Sequence, residues 1–274
     1  VCAALAASPI AQAQDQQPAS PTILAAGTLK PVVVTGSRSE RELQAVPAAI
    51  DLLEGDDLDP AKTQDIRDLV RELPNVSVLR QPQRFSAVNS GAVGNGRAGN
   101  AGFNIRGLEG NRVLLTVDGI RVPRELSSGV FGSAAFGRDY YDLGLISRVE
   151  ILRGASSALY GSDGLAGMVA MFTTEPKDLL QAGQTLGGRV GLRLDSEDSS
   201  QGVGATLAGE ASESLQWLGS VQIGRSRALD NQGVDFSLNS NRTAPNPQRD
   251  RQLSVLGKLV FEPSAASKHV LALE

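Results

Sequence analysis

Beyond Gly187 apolar and polar side chains alternate along the chain. Val190, Leu192 and Leu194 interleave with Arg189, Gly191, Arg193 and Asp195. Leu215, Trp217, Val221 and Ile223 share one face of a second segment, with Gln216, Ser220 and Gln222 mostly on the other. Leu253, Val255, Leu259 and Phe261 repeat the theme against Gln252, Ser254, Lys258 and Glu262. Successive side chains of a strand point to opposite faces, so this period of two predicts strands with one apolar and one polar face. Segments of about 10 residues joined by polar turns are the pattern of membrane-crossing β-strands, although each alone equally describes a soluble antiparallel strand. The pattern is still running at Val270–Glu274. Four or five such strands cannot close around a domain, because barrels with plugged lumens use about 22. The expectation is therefore the start of a barrel whose remainder is missing.

Upstream the pattern is different. Asp59-Pro60 reads as a helix N-cap followed by proline at the first helical position, with Ile66, Leu69, Val70 and Leu73 on one face and Pro74 as the stop. Val76–Leu79 predicts a short strand. Val113–Val117 is almost wholly apolar, as in a strand buried on both faces. Asp118-Gly119 then signals a tight hairpin, with Ile120–Val122 returning, and Val149–Leu152 predicts one further strand. Gly94–Gly99 formally spells G-x-G-x-x-G, but no strand leads in and no helical pattern follows, so a loop is expected rather than a dinucleotide site. These elements predict an α+β unit, a small mixed sheet with short helices, ahead of the first antiparallel strands of an incomplete barrel.

The N-terminal run Val1–Ile10, followed by Ala11-Gln12-Ala13, reads as the end of a secretory signal. Cys2 lies within it, so residues 14–274 contain no cysteine, which excludes disulfides, thiol nucleophiles and cysteine metal sites. Residues 14–29, rich in Gln, Pro, Ala and Ser, suit a flexible linker. No run of about 18 apolar residues exists, so any membrane crossing must use a closed barrel. With 26 basic and 30 acidic residues the net charge is −4, and no basic face suggests nucleic acid. One histidine, His269, leaves almost no material for triads, imidazole bases or zinc sites, so an enzyme is not expected. The 30 glycines favour tight turns over a helical bundle.

Two motifs are more specific. Phe103-Asn-Ile-Arg-Gly-Leu-Glu-Gly-Asn-Arg-Val-Leu-Leu-Thr-Val-Asp-Gly-Ile-Arg-Val122 and Val149-Glu-Ile-Leu-Arg-Gly-Ala-Ser-Ser-Ala-Leu-Tyr-Gly-Ser-Asp-Gly-Leu-Ala-Gly167, in this order, resemble the plug of a TonB-dependent outer-membrane receptor. The resemblance covers roughly residues 30–190. It implies residues 1–13 as signal remnant, 14–40 as periplasmic linker, 41–182 as plug and 183–274 as the start of the barrel. It also implies an outer-membrane transporter with its N-terminus in the periplasm, contacting outer-membrane lipid and the TonB energy-coupling protein. The segment Pro31, Val32, Val33, Val34 and Thr35 sits where the family carries its TonB box, though Lys30-Pro31 departs from the acidic residue or threonine usual there. An extended β-branched run can add to a partner's sheet edge, or it can be the plug's own first strand. Arg106 and Arg153 match the arginines that the family sets against barrel glutamates as a plug–barrel latch. Pairing within the plug, for example with Glu150, is the alternative. Phe103–Leu108, Asn111–Leu114, Phe136–Asp139 and Tyr160–Gly164 resemble the haem and haemoglobin receptors. Haem, free or taken from a haem protein, is the implied transported ligand, with no permanently bound cofactor. No plug histidine is present as an axial ligand; Tyr140 and Tyr141 are the paired aromatics that could bind iron or stack on a porphyrin, and packing of these tyrosines within the plug is the alternative. A siderophore or other metal-chelate receptor is the alternative within the class, and a soluble periplasmic binding or signalling module is the alternative outside it.

Overall fold

The computed structural model describes residues 32–33, 41–42, 48–58, 63, 65–78, 102–124, 126–128, 134–136, 141–196, 198–228, 230–237, 241–245, 249–264 and 267–274. Strands β1 (Val32–Val33) and β2 (Arg41–Glu42) pair antiparallel. They are followed by β3 (Ile50–Glu54), helix α1 (Ile66–Leu69), β4 (Val76–Val78), β5 (Phe103–Ile105), β6 (Val113–Val117), β7 (Ile120–Arg121), β8 (Leu126–Ser128) and β9 (Ala134–Phe136). Then come β10 (Ile146–Leu152), helix α2 (Ser157–Tyr160) and β11 (Gly167–Thr173). Five of these strands form one sheet in the order β3-β10-β11-β6-β7, with β6 and β11 parallel and the other pairs antiparallel. β4 pairs with β5, and β8 with β9.

This first sheet is covered on both faces, which accounts for the unbroken apolar run of β6. Val113 and Leu115 join Val149, Ile151, Val169 and Met171 in one cluster, and Leu114 joins Ile50, Leu152, Met168 and Ala170 in another. β11 lies at the centre, between β10 and β6. Gly167, which opens it, is required by close approach: a Cβ there would lie 2.2 Å from the Leu152 carbonyl oxygen and 2.9 Å from Ile105 Cδ1.

The helix expected between Asp59 and Leu73 is shorter in the described residues, a single turn over Ile66–Leu69. Its N-cap is Asp65, whose carboxylate accepts from the amides of Arg67 and Asp68, while the Asp68 carboxylate accepts from the Asp65 amide. Beyond Leu69 the bonding tightens to Leu73 N–H on the Val70 carbonyl, and the turn ends there. Asp59 and Pro60 lie outside the described residues, as does the Gly94–Gly99 loop.

The second sheet is an antiparallel meander of β12 (Leu186–Asp195), β13 (Ser200–Ser212), β14 (Leu215–Arg227), β15 (Arg249–Ser264) and β16 (Ser267–Leu273). Its register aligns the outward residues in rows. Val190, Ala205, Val221 and Val255 form one row, and Leu192, Val203, Ile223 and Leu253 the next. This face is open, with Leu192 77% and Leu253 69% exposed. From Leu215 to Ile223 the apolar band runs roughly 26 Å along β14, which a tilt of about 40° reduces to roughly 20 Å, near the height of a lipid-facing band. Trp217 and the stacked Phe261–His269 pair stand at one end of it, where a wall of this kind carries aromatics. The inward face carries Ala208, Leu218 and Leu256, which pack against Leu145, Leu179 and Leu180, so the first sheet and the segment after it sit against this wall. No helix among the described residues is long and apolar enough to cross a membrane.

Candidate functional site

The two sheets meet along a polar seam. Its buried cation is Lys258, an inward residue of β15 whose side chain is only 3% exposed. Its Nζ lies 3.1 Å from Asp118 Oδ2 and donates to the Thr173 carbonyl at 3.0 Å. Asp118 is prepared for this contact by the hairpin. Asp118 and Gly119 have φ of 45° and 81°, the two left-handed residues of a primed turn, for which Asp-Gly is a favoured pair. The Asp118 carboxylate also accepts from the Thr173 amide at 2.8 Å and the Thr173 hydroxyl at 2.5 Å. The end of β11, the β6–β7 turn and the wall strand β15 thus share one charged node.

A second contact lies close in sequence. Glu175 accepts from Lys268 of β16 at 2.8 Å and lies 3.0 Å from Lys177. Burial alone would raise the Glu175 carboxyl, but the hydrogen bonds from Lys268 and Lys177 outweigh it and hold the group below its ordinary value. A depressed carboxyl contributes stability that is fully present above the unfolded value of 4.5 and is lost as pH falls through the lower folded value. The stability difference between the native protein and Lys268→Met is therefore expected to stay flat from neutral pH down to about 4.5 and to shrink as pH falls from there through the lower folded value. Urea unfolding followed at several pH values checks this, and a difference already shrinking near neutral pH would contradict it. At the opposite end of the seam Gln252 donates to Asp142 at 3.3 Å and Arg189 to the Gly144 carbonyl at 3.3 Å. Between wall and first sheet there lies a polar cleft of about 380 Å³, lined by Asp65, Asp68, Tyr141 and Asp142 on one side and Arg193 and Asp250 on the other.

The residues singled out from the sequence are placed as follows. Val32 and Val33 form β1 and pair with Glu42 and Arg41, while Pro31, Val34 and Thr35 lie outside the described residues. Arg153 is held within its own sheet: its guanidinium forms an ion pair with Asp51 of β3 at 2.7 Å and donates to the Pro74 carbonyl at 3.0 Å. Glu150, the partner considered from the sequence, is fully buried and lies 3.5 Å from Arg148. Arg106 has an exposed side chain and a φ of 53°, followed by Gly107 at 84°. The Ile-Arg-Gly-Leu motif is thus a second primed turn, closed by Ile105–Leu108 bonds and by Asn104, which accepts from the Gly107 amide. Tyr141 packs against the main core and borders the polar cleft; Tyr140 lies outside the described residues. In the Tyr160–Gly164 motif, Asp163 gathers Arg121 and Arg124 at 3.3 and 2.7 Å, and Arg121 also donates to the Tyr160 carbonyl. His269 faces outward beside Phe261. No group of histidine, cysteine, aspartate or glutamate suited to a metal occurs among the described residues.

Asp118, Thr173, Lys258, Glu175 and Lys268 were not anticipated as a site. The available signal was Lys258 itself, a cation in the inward row of β15 between the apolar Leu256 and Val260.

The TonB-dependent Receptor Plug Domain family matches residues 42–168. A hemin receptor of Yersinia enterocolitica is 30% identical over 201 residues, covering 73% of this chain and 26% of that protein. The vitamin B12 transporter BtuB of Vibrio vulnificus is 30% identical over 143 residues, covering 52% of this chain and 20% of that protein. The chain therefore spans about a quarter of the length of these curated relatives. Among solved structures, the Serratia marcescens hemophore receptor HasR, in complex with its hemophore HasA and heme, superposes with a TM-score of 0.58 at 20% identity, over 80% of this chain and 30% of that one. The ferric enterobactin receptor PfeA of Pseudomonas aeruginosa gives 0.54 at 20% identity, over 79% and 31%. These two likenesses establish the fold: the first sheet is a plug, and the second is a stretch of barrel wall.

Proposed function

We propose, from this chain's membership of the TonB-dependent receptor family, that the protein is an outer-membrane active transporter that imports haem. The family is one of receptors and not of enzymes, and on this reading the protein binds cargo outside and releases it inside without catalysing a reaction. Residues 1–13 are assigned as signal remnant, 14–40 as linker, 41–182 as plug and 183–274 as wall. Pro31–Thr35 is the segment engaged by the energy-coupling protein from the periplasm. Arg106 and Arg153 remain the latch candidates, with Arg153 reaching barrel carboxylates only by exchanging its Asp51 partner. Tyr140 and Tyr141 are the ligand-facing aromatics, and the polar cleft beside Tyr141 is where cargo would first meet the plug.

The observation that carries haem is the similarity to hemin receptors over 73% of the chain, which includes both plug motifs. A second reading, a siderophore or cobalamin receptor, is favoured by the comparable similarity to the vitamin B12 transporter and the ferric enterobactin receptor. Growth of the iron-starved host deleted for this gene, with haem as sole iron source, separates the two. The full-length gene is expected to restore growth, and the same gene lacking residues 31–35 is expected to bind haem at the cell surface without supporting growth. A correctly inserted receptor that grows on a ferric siderophore but not on haem would overturn the haem assignment and leave the family intact.

A further inference from the structure

The outward face of β14 and β15 carries four arginines in two directly opposed pairs, Arg225 with Arg251 and Arg227 with Arg249. All four are exposed. Like charges directly opposite on neighbouring strands destabilise a sheet, and the two pairs are stacked roughly 7 Å apart along the strands. Among the described residues, the ion pairs formed elsewhere in the chain involve none of these guanidinium groups. Arg225 donates instead to a neutral acceptor, Gln201 Oε1, at 3.1 Å from Nε. The arrangement concentrates positive charge without a counter-charge among the described residues.

What lies beside the quartet gives it a chemistry. The next row toward the middle of the wall is Leu192, Val203, Ile223 and Leu253. Over it runs a shallow, mostly apolar depression of about 720 Å³, bordered by Leu194 and Leu253 and reaching Arg225 and Arg251 at its polar end. The matching ligand has hydrocarbon at one end and an anion at the other. Guanidinium forks favour phosphate, which they can engage through paired hydrogen bonds. We propose that Arg225, Arg227, Arg249 and Arg251 bind the phosphate headgroup of a membrane lipid whose acyl chain lies in the Leu192–Ile223–Leu253 depression. This rests on the part of the preceding reading that places the second sheet in a bilayer, and it is independent of what the receptor transports. The long 228–248 connection leaves from the same end of the wall as the quartet, so the lipid belongs to the leaflet on the loop side.

The test uses the full-length protein in phosphatidylcholine nanodiscs doped with diphosphoryl lipid A, with bound lipid counted by native mass spectrometry. Lipid A is expected to be retained in preference to phosphatidylcholine, and Arg225→Gln/Arg251→Gln is expected to weaken retention roughly tenfold or more, the scale of losing charge-assisted hydrogen bonds. Arg225→Lys/Arg251→Lys, which keeps the charge and loses the fork, should fall between the two and carries the test if the glutamine variant fails to fold. Equal retention by the folded glutamine variant, or no preference for lipid A over phosphatidylcholine, would overturn the proposal. Displacement of lipid A by millimolar inorganic phosphate alone would do so too, showing a site for soluble anions. A receptor that does not enter bilayers removes both this proposal and the transporter reading. One that binds lipid A but supports no growth on haem removes only the cargo assignment.

Discussion

Asp118→Asn is expected to be the most damaging single change at the seam, costing about 3–5 kcal/mol, the scale for leaving one member of a buried ion pair alone. The asymmetry between the partners decides which substitution hurts more. Lys258 is 3% exposed and Asp118 27%, so replacing the carboxylate leaves a buried ammonium facing neutral oxygens, the Thr173 carbonyl and the new amide, in place of its ion-pair partner. Removing the lysine leaves a carboxylate that still accepts from the Thr173 amide and hydroxyl and reaches water. Lys258→Met should therefore cost less, and the double variant should recover much of the loss. Asparagine is the informative replacement because it tolerates the left-handed backbone that position 118 requires. Amide hydrogen exchange of the full-length protein checks this in the β6–β7 hairpin and at Thr173. Unchanged protection in Asp118→Asn would show that the node carries no weight.

Ile105→Ala is expected to cost about 2–5 kcal/mol, as for other large-to-small changes in a packed core. Ile105 is 0% exposed, and it is both the end of β5 and the first residue of the turn through Arg106 and Gly107. Its Cδ1 occupies space left by the absent Cβ of Gly167. Gly167→Ala should cost about 1–3 kcal/mol as an overpacking change, and adding Ile105→Val should recover only part of it. The remaining obstacle is the Leu152 carbonyl, a backbone atom that cannot step aside without disturbing β10. Urea unfolding of the plug, followed by proteolytic susceptibility in the full-length protein, checks both. Full rescue by Ile105→Val would show that the side chain, and not the β10 backbone, sets the limit.

The wall was legible because its two faces meet different surroundings, and β12, β14 and β15 appear where the alternation of Leu, Val and Ile with polar residues places them. β13 escaped that reading: Gly202, Gly204, Ala205 and Ala208 dilute an alternation carried only by Val203 and Leu207. In the plug, β6 and its Asp-Gly turn were visible, since a continuous apolar run ending in a primed-turn pair has few other interpretations. β3 and the central β11 were not anticipated. β11 reads Gly-Met-Val-Ala-Met-Phe-Thr, and nothing local distinguishes such a strand from a buried helix segment until its partners are known. The same holds for the seam. Asp118 was recognised for its backbone, whereas its charge matters only because Lys258 arrives from 140 positions further along the chain. Contacts of that kind leave no local periodicity.

The strand order of the plug has a mechanical consequence. β3, the first strand of that sheet, lies at its edge and holds to the rest through β10 alone. Under the proposed coupling, traction on the N-terminal segment reaches β3 before any other strand of the sheet. An edge strand peeled from its end breaks a single ladder of hydrogen bonds one after another, whereas a central strand is held by a ladder on each side. Asp51 lies within β3, so its bridge to Arg153 acts as a rivet partway along the zip. The opposite side of the sheet is riveted to a wall strand through Lys258. A pull of limited strength would thus strip β3 and stall before β11, opening one side of the plug while the other stays moored.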